Sequence, residues 1–385
     1  MTRILVTSAS YILTDHLLSS EGNSCYNIFK HLGKFGYYFD AISAQVKVKK
    51  PLENAVFHQV GFFGTSPTAH ASKKYLSHAE FLTRSYLKSM EILKKKRIDI
   101  IHHMLPAVYN QTFSLLALLG KTKTHPFIFG PVSTHFYPRP IDEKLIGKFT
   151  SKLHVKTIRN CDMLIAITDH VKKLYTKIFD PEKIVTIPLG VDTNLFKPSK
   201  KKLNKEYYEL LFAGYLYKLK GIEFLIKAMC IIAQERKDVK LRIVGNGPEK
   251  QRLIKLTEAL NVKGKVTFQG FVPHMEMPKY YQNCDIFCFP TLGEPFGKAI
   301  IEAMACAKPV VASNIGGPAE IIQNRKTGIL VQPAQPELLA QEILSLLNNE
   351  KMMKAMGANA RNAVIQKYCW EKIAEKYHKL YATLI

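Results

Sequence analysis

Short β-rich runs and amphipathic stretches alternate along this chain, twice over, and that alternation leaves few folds open. In the N-terminal half RILVTS reads as a strand, NSCYNIFKHLGKFG as a helix closed by Gly36, and YYFDAISA as a second strand. RIDIIHHM and HPFIFGPV follow as β-rich runs separated by a helical stretch, and CDMLIAITDHVKKLY is a strand that runs into a helix. Strands interleaved with helices in this way fold as a parallel sheet with helices on both faces. After IVTIPLGVDTNLFKPSKKKLNKEYY, rich in turn formers and lysine, the pattern starts again. Its strands are YELLFAGYL, KLRIVGNG, KVTFQGFV, DIFCFPT, PVVASN and TGILVQP, and its helices include GIEFLIKAMCIIAQE, PEKQRLIKLTEAL and MPKYYQNC. At 385 residues the chain exceeds one ordinary core. The expectation is therefore α/β, two doubly wound parallel-sheet domains over residues 1–198 and 199–365, with strand ends facing a cleft where such sheets bind ligands.

The 47% of hydrophobic residues fills two such cores, and no window approaches the roughly 20 uninterrupted apolar residues of a membrane span. The opening MTRILVTSAS is a strand pattern without a signal peptide's long apolar region, so a cytoplasmic protein is expected. Seven cysteines are scattered without a Cys-x-x-Cys pair, the pattern of buried thiols in a reducing compartment. The formal net charge of +24 is unusual, and residues 1–160 hold 22 Lys and Arg against 9 Asp and Glu. Such an excess suits nucleic acid, anionic lipid or phosphorylated ligands. No zinc finger, RRM signature or KH loop supports the first, so no nucleic-acid partner is expected. In DEKLIGKFTSKLHVKTIRNC, Lys144, Lys148, Lys152 and Lys156 recur every four residues beside an apolar stripe of Leu145, Phe149 and Leu153. Two readings stand: a helix lying on an anionic membrane surface, or an ordinary surface helix with its stripe in the core.

GEPFGKAIIE, residues 293–302, places Glu294 and Glu302 eight positions apart around a Pro-Phe-Gly bend that opens an apolar helix. Buried carboxylates are costly, so such a pair holds something: a metal, a proton in transfer, or the hydroxyls of a polar ligand. The bend lets backbone approach a ligand closely, and a helix beginning near Gly297 aims N–H groups at it, which suits a diphosphate. Lys298 and Glu302, four apart, share one face of that helix. No Asp-x-Asp pair points to a metal, and VGNGPE holds only Gly-x-Gly, short of the dinucleotide fingerprint.

Six segments occur in register: GYLYKLKG, VGNGPE, FQGFVP, GEPFGKAIIEAMACAKPVVAS, GGPAEII and KTGILV, preceded by IPLGVDTNLFKP. Together they resemble the retaining glycosyltransferases of family 4, whose GT-B fold consists of two Rossmann-like domains. The likeness is strong over residues 160–385 and weaker but continuous before. It implies transfer of a sugar from a nucleotide-sugar donor, a UDP- or GDP-sugar, to a glycan or glycolipid acceptor, with retention, without a metal and without a cofactor. Glu294 is then expected to grip donor-sugar hydroxyls, Glu302 the ribose hydroxyls and Lys220 the diphosphate, with Glu294, Lys220 and His135 as the catalytic set. The family's usual arginine just after the glycine is Tyr215 here, so either Lys298 or Lys218 replaces that charge or the phosphate is held more weakly. Gly214, Gly245, Gly247, Phe296, Gly297, Lys298 and Ala299 are expected around the donor, and Phe271 and Val272 near its base. Gly22 and Asn23 are expected in a loop that approaches phosphates and acceptor. His135 is the candidate for an acceptor or sugar contact, because the family's histidine is missing from its matching position after PFIFGPVST. His102 and His103, adjacent on a strand, point to opposite faces and suit no shared metal. The Gly316-Gly317-Pro318 loop is expected merely to turn the chain into a helix, and Trp370 to anchor a last helix, residues 366–385, crossing back to the first domain. Basicity and the lysine helix favour an envelope or lipid-linked glycan acceptor at the inner face of the cell membrane. A soluble acceptor, and a non-catalytic sugar-nucleotide or nucleic-acid binder, are the rival readings.

Overall fold

Apolar runs too short for helices become the strands of two parallel sheets in the computed structural model, which describes residues 1–16, 20–61, 71–104, 112–133, 143–199 and 206–385. The chain divides into two compact units, Met1–Pro188 with Trp370–Ile385, and Leu189–Cys369. The first carries β1 (Thr2–Thr14), α1 (Ser20–Leu32), β2 (Tyr37–Lys47), β3 (Ala55–Gln59), α2 (Ala71–Lys95) and β4 (Ile100–His103). It continues with α3 (Leu115–Leu118), β5 (Phe127–Val132), α4 (Glu143–Arg159), β6 (Met163–Ala166), α5 (Asp169–Tyr175) and β7 (Ile184–Thr186). Its sheet has the order β3-β2-β1-β4-β5-β6-β7, with every pair parallel.

The second unit begins with β8 (Tyr208–Ala213), α6 (Ile222–Glu235), β9 (Val239–Val244), α7 (Lys250–Ala259), β10 (Val266–Gly270), α8 (Met277–Asn283) and β11 (Ile286–Phe289). It goes on through α9 (Lys298–Ala305), β12 (Val310–Ser313), α10 (Gly316–Ile321), β13 (Ile329–Val331), α11 (Pro336–Leu347) and α12 (Glu350–Lys367). Its sheet runs β10-β9-β8-β11-β12-β13, again parallel throughout. In each sheet the strand order reverses once, between β1 and β4 and between β8 and β11. At such a point the connections leave to opposite sides and open a crevice beyond the strands' C-terminal ends.

The last helix, α13 (Trp370–Ala382), belongs to the first unit, where Trp370, Ile373, Tyr377 and Tyr381 share a core with Ile4, Phe29 and Phe39. Each large apolar side chain buried in this way stabilises the fold by about 1.5–3 kcal/mol. β1 is longer than the six residues of RILVTS and its register against β2 shifts between Val6 and Ser10. The edge strands β3 and β7 are short and carry no clear pattern of their own.

Two expectations are corrected. Gly22 and Asn23 stand in the first turns of α1 and not in a loop. Cys25, Ile28, Phe29 and Leu32 recur at helical spacing and are all buried, forming the core face of this helix, which starts at Ser20. In α4, Phe149 is 63% exposed, so it lies outside the core. The buried side of that helix is His154, Thr157 and Ile158, while Lys152, Lys156 and Arg159 are exposed with Phe149. The side chains of Lys144, Leu145 and Lys148 lie outside the described ones, and His135 lies outside the described residues. The seven cysteines form no disulfide. Among the described residues, no helix is long and apolar enough to cross a membrane.

Candidate active site

Two loops leave the switch point of the second sheet side by side, one after β8 and one after β11. The first makes a single 3-10 turn over Lys218–Lys220 and ends at Gly221, whose φ is +64°. A Cβ at Gly221 would lie 1.9 Å from the Pro290 carbonyl oxygen, so only glycine lets the two loops touch here. The Leu292 N–H and the Thr291 hydroxyl both donate to the Leu219 carbonyl, at 2.8 and 3.1 Å. This lacing brings Lys220 onto Glu294: Nζ pairs with Oε2, and it also lies 5.4 Å from the Phe289 ring centre. Both side chains are largely buried, which strengthens their attraction over that of a surface pair.

Glu294 is fixed from a second direction. The Gly317 N–H donates to the Glu294 carbonyl at 2.9 Å, and a Cβ on Gly317 would lie 2.1 Å from the Phe296 oxygen. The Gly316-Gly317-Pro318 segment therefore does more than turn the chain: it clamps the backbone of the carboxylate loop. Gly297, with φ +103°, then caps α9 without any side-chain hydrogen bond. The first N–H groups of α9 follow directly after Glu294, Pro295 and Phe296, in the arrangement that attracts an anion.

One turn into α9, Glu302 is buried, and each of its oxygens has a protein donor. His274 Nε2 lies 2.9 Å from Oε1, and the Tyr281 hydroxyl donates to Oε2 at 3.0 Å. Burial pushes the Glu302 carboxyl up, but the hydrogen bond from His274 and the charges of His274 and Lys298 outweigh it, holding the group below its ordinary range. Lys298 on the same face is shifted down, because burial outweighs the attraction of Glu302.

The other expected residues are spread around these loops. Tyr215 is 52% exposed and packs on Tyr217, ring centres 4.3 Å apart, so the position of the family's arginine presents an aromatic surface. Lys218 is exposed, and Ala299 partly buried. Gly214, Gly245 and Gly247 let the loops after β8 and β9 pack backbone on backbone. A Cβ at Gly245 would meet the Gly214 oxygen at 1.9 Å, and one at Gly247 the Leu216 oxygen at 2.5 Å. Phe271 is exposed beyond β10, Val272 is buried, and the buried Phe296 meets Tyr368 edge-on. In the first unit, His102 bonds the Gly130 carbonyl and Tyr381, while His103 bonds Thr7. Burial pushes both down to about 3. Among the described residues no three of His, Cys, Asp and Glu converge as metal ligands. Sequence reasoning missed His274, Tyr281, Thr291 and Gly317, and only the glycine pair carried a local signal.

Two parallel-sheet α/β units are the layout of the GT-B fold. The model for the glycosyl transferases group 1 matches residues 194–363, and that for Glycosyltransferase Family 4 matches residues 22–195. The chain belongs to this glycosyltransferase family, and it is an enzyme of sugar transfer. An uncharacterized glycosyltransferase of Methanocaldococcus jannaschii is 29% identical over 376 residues, 93% of this chain and 92% of the relative. A GDP-mannose-dependent phosphatidylinositol monomannoside mannosyltransferase of Mycobacterium tuberculosis is 30% identical over 231 residues, 56% of this chain and 60% of that one. Among solved structures, sucrose-phosphate synthase of Thermosynechococcus elongatus superposes with a TM-score of 0.73 at 22% identity, covering 100% of this chain and 99% of the other. Anabaena HepE, solved in complex with UDP, superposes with a TM-score of 0.72 at 18% identity over the whole of both chains.

Proposed function

We propose that this enzyme moves a sugar, with retention and without a metal, from a UDP- or GDP-sugar to an acceptor hydroxyl. The observation that carries the reading is the meeting of Lys220 and Glu294 beside the N-terminus of α9, with Glu302 one turn further on. Lys220 and the α9 N–H groups take the diphosphate, Glu294 the sugar hydroxyls and Glu302 the ribose. HepE, solved with UDP and with UDP-glucose, and the GDP-mannose-dependent relative support a nucleotide-sugar donor. When the anomeric C–O bond breaks, its electron pair goes to the diphosphate, whose charge Lys220 and the helix terminus stabilise. The acceptor oxygen forms the new bond on the same face, and its proton passes to the departing phosphate oxygen. Screening UDP- and GDP-sugars with a chelator present, and reading the product's anomeric configuration by proton NMR, tests this. Retained configuration and chelator-insensitive turnover are expected; inversion or complete loss of turnover contradicts it.

The acceptor we propose is a lipid-linked or envelope glycan met at the cytoplasmic membrane face, with the first unit taking it. Exposed Phe149 on the same face of α4 as Lys152, Lys156 and Arg159 supports this, since an aromatic anchor beside a row of cations suits an anionic interface. A capsular polysaccharide biosynthesis glycosyltransferase of Staphylococcus aureus is among the relatives. Affinity for phosphatidylglycerol vesicles, read by sedimentation, is expected to fall by about thirtyfold or more in the Lys152→Glu, Lys156→Glu double variant, about 1 kcal/mol being carried by each cation. Equal binding by both proteins would favour a soluble acceptor.

A further inference from the structure

Glu302 is held by two side chains to which the reading above gives no role. We propose that His274 and Tyr281 are positioning residues that orient the Glu302 carboxylate so that it accepts both hydroxyls of the donor ribose. The inference rests on the nucleotide-sugar reading and deepens it.

An ionised carboxylate offers about four lone-pair sites, two on each oxygen. His274 takes one on Oε1 at 2.9 Å, and Tyr281 takes one on Oε2 at 3.0 Å. One site on each oxygen is left, and two neighbouring hydroxyls are the donor pair that matches them. The two protein donors reach Glu302 from different elements, His274 from the single turn after β10 and Tyr281 from α8, so between them they fix the rotation of the carboxylate plane. Without them the carboxylate is drawn to Lys298, one turn back on the same helix face.

The holders are themselves held. The Phe196 ring lies 5.2 Å from His274 and 5.8 Å from Tyr281. Arg361 on α12 donates to the Phe196 carbonyl at 3.3 Å and also to the Ala305 carbonyl at the end of α9. The segment that buttresses the two donors is thereby tied to the helix that carries Glu302. Donation by His274 puts a proton on Nε2, so the ring acts either as that neutral tautomer or as the imidazolium.

Calorimetric titration of UDP and GDP, each against its 2′,3′-dideoxy counterpart, tests the inference. Wild-type protein is expected to prefer the ribose form of its better diphosphate by about tenfold or more, the worth of one hydrogen bond to a charged group. Glu302→Ala removes that preference. His274→Ala and Tyr281→Phe each reduce it by about threefold or more, while affinity for the dideoxy form stays within about twofold of wild type. His274→Gln, which keeps an N–H donor, recovers most of the loss. Tyr281→Phe keeps the buried ring, and melting curves verify that each variant folds. Variants that retain the full ribose preference, or that lose both forms equally, overturn the positioning role and leave the nucleotide reading standing. A wild-type protein that binds neither diphosphate overturns that reading, and the positioning role with it.

Discussion

Tyr215 stands where the family usually carries an arginine, and its exposed ring brings no charge to the proposed diphosphate site. Lys220 is paired to Glu294, and under the proposed function a diphosphate has to draw it from that carboxylate. Tyr215→Arg is expected to raise UDP or GDP affinity by about threefold to tenfold, the worth of an added charge-assisted contact, with the melting temperature unchanged. Calorimetry on the variant checks it, and an unchanged affinity would mean that the position does not face the phosphates. At this scale the sequence was legible where chemistry and spacing coincide. Lys298 and Glu302 are four apart on one helix, and the Pro-Phe-Gly bend announces a helix start. His274 and Tyr281 were not legible, because they reach Glu302 across 28 and 21 residues from a turn and a different helix. No local period encodes such a meeting.

Among the elements, β4 carries two adjacent histidines that the sheet buries on opposite sides, against Tyr381 and against Thr7. Both are held neutral, pushed down by burial to about 3 from an ordinary 6.5, and His78 on α2 is pushed down to about 4. For a base with a depressed native pKa, the unfolded chain binds protons first. Stability is thus intact above about pH 6.5 and is lost as the pH falls from there toward 3. At pH 5 each fully buried histidine costs at most about 2 kcal/mol. The first unit is expected to melt progressively earlier in buffers from pH 7 to pH 5, and a flat melting temperature over that range would contradict the burial of these rings. Strand and helix alternation made most of these elements readable beforehand. β3 and β7 were missed because edge strands of five and three residues show no alternation to detect. The early start of α1, three residues before the helix read at Asn23, was hidden by Gly22, which reads as a loop former. Gly317 was read as a turn, and its role in gripping Glu294 depends on how closely two distant loops approach.

Across the whole molecule, two sheets with separate cores supply two units, and the proposed donor-binding residues Lys220, Glu294 and Glu302 all fall in the second. The return of α13 to the first unit has no signature in its own residues. Trp370 and Tyr381 mark an amphipathic helix, but nothing in their spacing says which sheet they cover. Trp370 is the chain's single tryptophan and is buried in the first unit's core, so its fluorescence follows that unit, while calorimetry follows both. Two such units need not unfold in one step, which makes separate readouts worthwhile. A ligand at a hundredfold excess over its dissociation constant adds about 2.7 kcal/mol to whatever it binds. For a unit of this size that corresponds to about 5–10 °C. The decisive measurement is calorimetric melting of wild-type protein and Lys220→Ala with excess UDP or GDP. A nucleoside diphosphate should raise the second unit's transition in the wild type and raise it far less in the variant. No shift with either nucleotide, or the same shift in both proteins, would contradict a diphosphate site built on Lys220.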